Sequence, residues 1–258
     1  MPLSIKKYLF DRLSLENYLR LLQQSYFFLY RTGLLRRKPE YAYHYFVKKL
    51  VRKGDTVLDI GANLGYYSLL FSRWVGSTGK VYAVEPIELY NRVFQRKARR
   101  RRNITLLPYA LGLEEKEVML VTSPRTGYLR TGLPHVYDAA RDGRIEEQEF
   151  TFSARMAAPS RLFAPVGRID YIKCDIEGFE GVVLSEMQEL IARDKPRMQV
   201  EVWRENERPL FDLFGGMGYQ AYRLQGKKLV PAVAGDRAYE GDTLFIHRDD
   251  RIASVLGR

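Results

Sequence analysis

The run IKCDIEGFE at residues 172–180 places Asp175, Glu177 and Glu180 inside six consecutive positions, directly after a short apolar stretch. Carboxylates crowded at such a place suit two chemistries. They can orient a hydroxyl and take its proton, or offer hard oxygen ligands to a divalent cation such as Mg²⁺. Asp175 and Glu177 are the pair for either, and proton handling is the preferred reading, with no metal assigned. If residues alternate along a strand here, Lys173 shares a face with Asp175. Glu177 then lies in the loop just beyond, where Gly178 permits a tight turn or close approach of substrate. Glu201, in MQVEV (198–202), joins the group if its strand runs alongside, and Lys173 and Glu201 are candidates for positioning a substrate. Glu180 reads as the start of the next helix, where negative charge suits the N-terminal dipole. His44, His135 and His247 are scattered, without zinc-site spacing.

A second constellation lies far upstream. DIGANLG (59–65) stands where a strand should turn into a helix, and glycines there let backbone approach a ligand at the helix N-terminus. A dinucleotide pyrophosphate favours G-x-G-x-x-G, whose second glycine clears the path of the phosphates. Asn63 occupies that place in this chain. Glu85 follows at the end of the next strand, at the distance where an acid hydrogen-bonds ribose hydroxyls. A nucleoside without an obligatory pyrophosphate is implied, and S-adenosylmethionine fits. Its ribose would sit on Glu85, its amino-acid tail along Asp59, Gly61, Asn63 and Gly65, and its adenine near Ala110 and Leu111, with Asp175 beside the reactive group.

The elements that must hold these residues follow from periodicity. TVLDI (56–60), VYAVE (81–85) and ITLLPYAL (104–111) are β-branched or apolar runs separated by helical stretches, which predicts βαβ units and a parallel sheet. Further strands are expected at 170–174, 198–202, 219–224 and 243–247, with a helix over 181–192, for a sheet of about seven strands. Between about residues 123 and 167 periodicity is lost, and an insertion of loops with a hairpin near 146–152 is expected over the strand ends. Ahead of the sheet, residues 13–53 read as helices, one of them spanning 41–51. The domain scheme is thus a helical basic extension over 1–53 and an α/β domain over 54–250.

Composition bounds the alternatives. With 258 residues, 46% of them hydrophobic and 28% charged, the chain is long enough for one sizeable α/β domain. The single cysteine, Cys174, reads as a small core residue and favours a reducing, cytoplasmic setting. No run approaches the length needed to span a bilayer. Of the net charge of +11, residues 1–53 hold 12 Lys and Arg against 3 Asp and Glu. That segment interleaves Tyr, Phe and Leu with its cations, which points to peripheral contact with an anionic membrane at its inner face or to packing on the domain. RKARRRR (96–102) permits nucleic-acid binding, but no recognised nucleic-acid module accompanies it.

Taken together, VLDIGANLGYYSLLFS, VYAVEP, NITLLPYALG and DYIKCDIEGFEGVVL followed by PRMQVEVW resemble the FkbM family of S-adenosylmethionine-dependent methyltransferases, over roughly residues 50–205. The resemblance implies the class I methyltransferase version of the Rossmann-like fold. It also implies O-methylation of a sugar, a glycan or glycolipid, or a secondary metabolite. One stretch departs from the family: TFSARMAAPSRLF (151–163) stands where a Thr-Leu-Asp-like segment is usual. A nicotinamide-dependent oxidoreductase and a noncatalytic basic module binding nucleic acid or anionic lipid are the rival readings. Asn63 and the acid-rich strand end speak against the first, the ordered cofactor signature against the second.

Overall fold

The computed structural model describes residues 3–122, 126–235 and 241–252, with side chains from residue 5 onward. Helices α1 (Leu3–Arg12), α2 (Leu15–Arg31) and the short α3 (Ala42–Phe46) come first. They are followed by β1 (Thr56–Ile60), α4 (Tyr66–Val75), β2 (Lys80–Val84), α5 (Glu88–Ala98) and β3 (Ile104–Leu107) in βαβ alternation. Next come β4 (Ala110–Leu111), β5 (Lys116–Thr122), β6 (Pro134–Val136), α6 (Ala139–Asp142), β7 (Thr151–Ala157) and α7 (Pro159–Phe163). The chain then returns through β8 (Tyr171–Cys174), α8 (Glu180–Glu186), α9 (Gln188–Asp194), β9 (Arg197–Val202) and α10 (Arg204–Gly216). It closes with β10 (Tyr219–Gln225), β11 (Lys228–Pro231) and β12 (Gly241–His247).

Eight strands form the main sheet, in the order β11-β10-β12-β9-β8-β1-β2-β3. The five from β9 to β3 are mutually parallel, and β12 runs antiparallel between β9 and β10. Strand order reverses between β1 and β8, which opens a crevice at their carboxyl ends. Alternation along the strands feeds the two faces: Leu58, Ile60, Ile172 and Cys174 pack with α8, α9 and α10, while Val57 and Tyr171 pack with Tyr67, Phe71 and Val75 of α4. Asp59 and Lys173 therefore point to the α4 face.

Several expectations are revised. The sheet has eight strands because β11 pairs onto β10 as a hairpin. The 104–111 run divides, since β3 joins the main sheet and β4 a second one, of order β4-β7-β5-β6. The insertion is thus largely ordered, and no hairpin forms at 146–152: residues 145–147 make a 3-10 turn, and β7 pairs with the distant β5. Residues 123–125, at its start, and 236–240, in the connection to β12, lie outside the described residues. The 181–192 helix is two helices meeting at Met187. A helix over 41–51 gives way to α3 flanked by 3-10 turns, because its aromatic side chains dock in different directions. Tyr43 alone donates to the Asp242 carbonyl (2.6 Å) and accepts from Leu224 N (2.9 Å).

The N-terminal helices pack on the sheet domain. Tyr18, Leu19, Tyr26 and Phe27 of α2 are buried, and Gln23 Nε2 donates to the Leu64 carbonyl (2.7 Å). Part of the 96–102 basic run serves the same contact. Arg96 and Arg92 lie 3.5 and 3.8 Å from the Glu16 carboxylate, and the Lys97 ammonium sits 4.9 Å over the Phe27 ring.

Gly65 opens α4 at φ 78, and a Cβ there would lie 2.2 Å from the Phe94 ring of α5. Gly65→Ala combines a left-handed backbone with overpacking, so it should cost about 3 kcal/mol or more in urea unfolding. A loss below about 1 kcal/mol would mean that Phe94 swings aside at little expense.

Candidate active site

The crevice is a cavity of about 330 Å³ beyond β1, β2 and β8, covered by the insertion and by the N-terminal segment. On one side lies the glycine loop. Gly61 (φ 81) and Gly65 need their conformations, yet what approaches them is protein: a Cβ on Gly61 would meet the Asp175 carbonyl oxygen at 1.8 Å. The glycines here let β8 and α5 close on the loop, and the loop faces the cavity through its backbone. Asn63 adopts a left-handed conformation (φ 54). Its Oδ1 accepts from Leu64 N (2.8 Å) and its Nδ2 donates to the Thr131 carbonyl (2.6 Å), which ties the loop to the insertion.

Glu85 stands just past β2, almost wholly buried. Its two oxygens accept from Asn63 N (2.8 Å) and Ile87 N (2.9 Å). Each keeps a free lone pair for a hydroxyl donor. Burial pushes its acid up to about 7, against the lowering effect of those two amides. Ala110 and Leu111 form an apolar wall further along, and the Tyr90 hydroxyl beside Glu85 is buried without a hydrogen-bond partner. Asp59 is fully buried, and the Ser68 hydroxyl donates to it. It adjoins Lys173 in the β1–β8 register, so its charge faces Lys173 more than the cavity. Free lone pairs on Glu85, an unmet tyrosine hydroxyl and an apolar wall together suit a nucleoside with ribose hydroxyls.

On the other side lie the carboxylates. Lys173 is 2% exposed, and its Nζ donates to Asp175 Oδ2 at 2.7 Å. Desolvation works to neutralise it, but Asp175, Asp59 and Asp242 outweigh this and raise its pKa, so it is a permanent cation. It also lies 4.9 Å over the Tyr67 ring. Burial would raise Asp175, but Lys173 holds it below the usual range. Glu201, which accepts from Trp203 Nε1 (3.1 Å), is driven the other way: burial first, then Asp175, Glu177 and Glu180, take it to about 10. It is a carboxylic acid at neutral pH, and it shares a hydrogen bond with Asp175.

Glu177 sits on a turn in which it (φ 56) and Gly178 (φ 97) are both left-handed, which projects its side chain into the cavity. Left-handed backbone at a non-glycine residue is strained. The turn is held from beneath by Glu180, whose carboxylate accepts from Ile176 N (2.9 Å), Gly178 N (3.1 Å) and Asn206 Nδ2 (3.0 Å). Glu180 does begin α8, and this clamp is its main work. Asp175, Glu177 and Glu201 bring one carboxylate oxygen each to within 4.8 Å of one another, a set that could hold a hard cation.

Sequence reasoning missed His44. Its ring stacks on Tyr67 (4.1 Å between centroids), and its Nδ1 lies 2.5 Å from the Tyr26 hydroxyl. Burial, and then Lys173, take its pKa down to about 3, so it is neutral. His135, Tyr90 and Thr131 also line the cavity unforeseen. Only Tyr90, five positions past Glu85, left any local signal.

Burial, followed by Asp175 and Glu180, moves Glu177 from 4.5 to about 8. The folded state therefore holds this proton more tightly than the unfolded chain does, so its contribution makes stability fall as pH rises from about 4.5 to about 8. In Glu177→Gln that part of the slope disappears: urea unfolding at pH 5 and pH 8 should show the variant gaining on the parent at the higher pH. Parallel pH dependences in the two proteins would contradict the assignment.

Among solved structures, the FkbM methyltransferase from Methylobacillus flagellatus KT matches with a TM-score of 0.50 and 18% identity, over 78% of this chain and 46% of that one. This chain thus spans a little under half of that protein's length. The S-adenosyl-L-methionine complex of Aeropyrum pernix fibrillarin matches with a TM-score of 0.43 and 15% identity, over 76% of this chain and 67% of that one. A SAM-dependent O-methyltransferase from Thermotoga maritima matches with a TM-score of 0.43 and 15% identity, over 80% and 65%. The likeness to the Methylobacillus protein concerns the fold alone, which is the Rossmann-like α/β fold of class I methyltransferases. No curated protein matches the chain. Residues 59–217, more than half of the chain, match the family described as Methyltransferase FkbM domain, and the chain belongs to that family of S-adenosylmethionine-dependent methyltransferases.

Proposed function

We propose that this chain methylates a hydroxyl of a sugar, a glycan or glycolipid, or a secondary metabolite. The observation that carries the reading is Glu177: a carboxylate tuned to about 8, projected on a left-handed turn into a cavity where Asp175 is kept ionised. A general base works best when its pKa lies near the working pH. Glu177 then takes the hydroxyl proton, while Asp175, pinned by Lys173, orients the acceptor oxygen. Glu201, as a neutral acid, donates to Asp175 and keeps a second full charge out of the pocket. S-adenosylmethionine, when bound, supplies an electrophilic methyl group. Glu85 accepts from its ribose hydroxyls, the backbone at Gly61, Asn63 and Gly65 faces its amino-acid tail, and Ala110 and Leu111 flank its adenine.

Two features support this reading over a dinucleotide oxidoreductase. The Asn63 side chain is bonded at both ends where a pyrophosphate would need open space. The acidic wall is also a poor neighbour for diphosphate. Residues 1–53 act in this scheme as an extension that closes the cavity with His44, and residues 54–250 as the catalytic domain.

Calorimetric titration with S-adenosylhomocysteine tests the donor half. Saturable binding should be seen, NAD should give none, and Glu85→Ala should abolish it; NAD binding, or full affinity in Glu85→Ala, would sink the assignment. For the acceptor half, transfer of labelled methyl groups to a panel of hydroxylated glycans and metabolites should rise with pH to a plateau above about 8. Glu177→Gln should lower kcat by about 10²- to 10⁴-fold and remove that pH limb while S-adenosylhomocysteine affinity is retained. An unchanged pH profile in the variant would transfer the proton role elsewhere.

A further inference from the structure

The inner face of the N-terminal segment is used up in packing, but its outer face is not. Four of the seven large hydrophobic residues exposed among the described residues lie on it: Ile5 (44%), Tyr8 (59%), Phe28 (64%) and Leu34 (49%). On α1, Ile5, Tyr8 and Arg12 recur at three- and four-residue steps and so share one side, while Leu9, Phe10 and Leu13 pack inward. Phe28 on α2 is followed by exposed Arg31, Leu34 and Arg37. From residue 17 to residue 39 there is no acidic residue. Apart from the Lys7–Asp11 and Lys38–Glu40 pairs at its two ends, the surface therefore alternates bulky apolar groups with cations, as a helix lying in a headgroup layer does. No described helix is long and apolar enough to cross a membrane.

Given this pairing of apolar and cationic groups, we propose that the outer face of α1, α2 and the turn after them docks on an anionic phospholipid bilayer. The apolar groups enter the interface, and Arg31 and Arg37 meet lipid phosphates. Charge complementarity selects this occupant over a second copy of the chain, since two such faces would repel. The segment also adjoins the insertion: Lys7 Nζ lies 3.4 Å from the Gly127 carbonyl, four residues before Thr131 of the cavity wall.

Co-sedimentation of the full chain with phosphatidylglycerol vesicles, and with phosphatidylcholine vesicles as control, tests the proposal. Two double variants at exposed positions, Phe28→Ser with Leu34→Ser and Arg31→Glu with Arg37→Glu, are first shown to be folded by circular dichroism and thermal unfolding. The parent should partition onto phosphatidylglycerol and not onto phosphatidylcholine. An interfacial cation contributes about fivefold to such partitioning, so Arg31→Glu with Arg37→Glu should lower it by about twenty-fivefold or more, and Phe28→Ser with Leu34→Ser, which removes two apolar groups from the interface, by at least about tenfold. Failure of the folded parent to partition would overturn the proposal. So would unchanged partitioning of Phe28→Ser with Leu34→Ser, which would leave mere adsorption of a polycation. Single-stranded RNA that binds the parent and the apolar double variant alike, and more tightly than the vesicles do, would reassign the face to nucleic acid.

Discussion

An ammonium group with almost no access to water governs the site. Burying an isolated cation is prohibitively expensive, and it persists only where opposite charges and hydrogen bonds surround it. Lys173 is met by Asp175 just past its own strand, Asp59 from β1 and Asp242 from β12, with the Tyr67 ring on a further side. These groups come from separate strands that become neighbours only in the assembled sheet. Burial and the charge of Lys173 together set the protonation of its neighbours. Lys173 keeps Asp175 ionised against burial; burial, and then Lys173, leaves His44 neutral; and burial, and then the ionised Asp175, holds Glu177 and Glu201 as acids far above their ordinary range.

The glycine loop and the carboxylate turn are mechanically one object. Gly61 has no side chain because the Asp175 carbonyl occupies that space, and Asp175 N donates to the Ile60 carbonyl at 3.1 Å. The two halves of the cavity are therefore set in register by backbone contact between β1 and β8. Donor and acceptor positions inherit a rigid spacing that loops alone would not give, and positioning of this kind is a large part of the catalysis of group transfer.

What could be read from the chain divides along lines of sequence distance. The βαβ alternation, the carboxyl-end crevice, the loop at 59–65, Glu85 and the 172–180 acids were legible because each depends on periodicity or on residues a few positions apart. The second sheet was not, because β4 and β6 hold two and three residues and β7 finds its partner β5 across some thirty positions. His44 was hidden for the same reason: nothing near it in the chain says that it will stack on Tyr67. The packing role of the glycines was not legible, since a glycine pattern shows that something approaches closely but not whether that something is ligand, protein or both. Glu180 was placed correctly at its helix start, but its clamp on Ile176 and Gly178 needs the turn to exist first.

The hydroxyl of Tyr43 bridges the Asp242 carbonyl and Leu224 N, residues 199 and 181 positions away. It has no such pair of partners until β10 and β12 lie side by side. The segment that carries His44 is thus fastened through Tyr43 to β10 and β12, two strands that give no residue to the cavity lining. Loosening of that side of the sheet would therefore reach the cavity wall through His44, so the pocket answers to strands it does not contain.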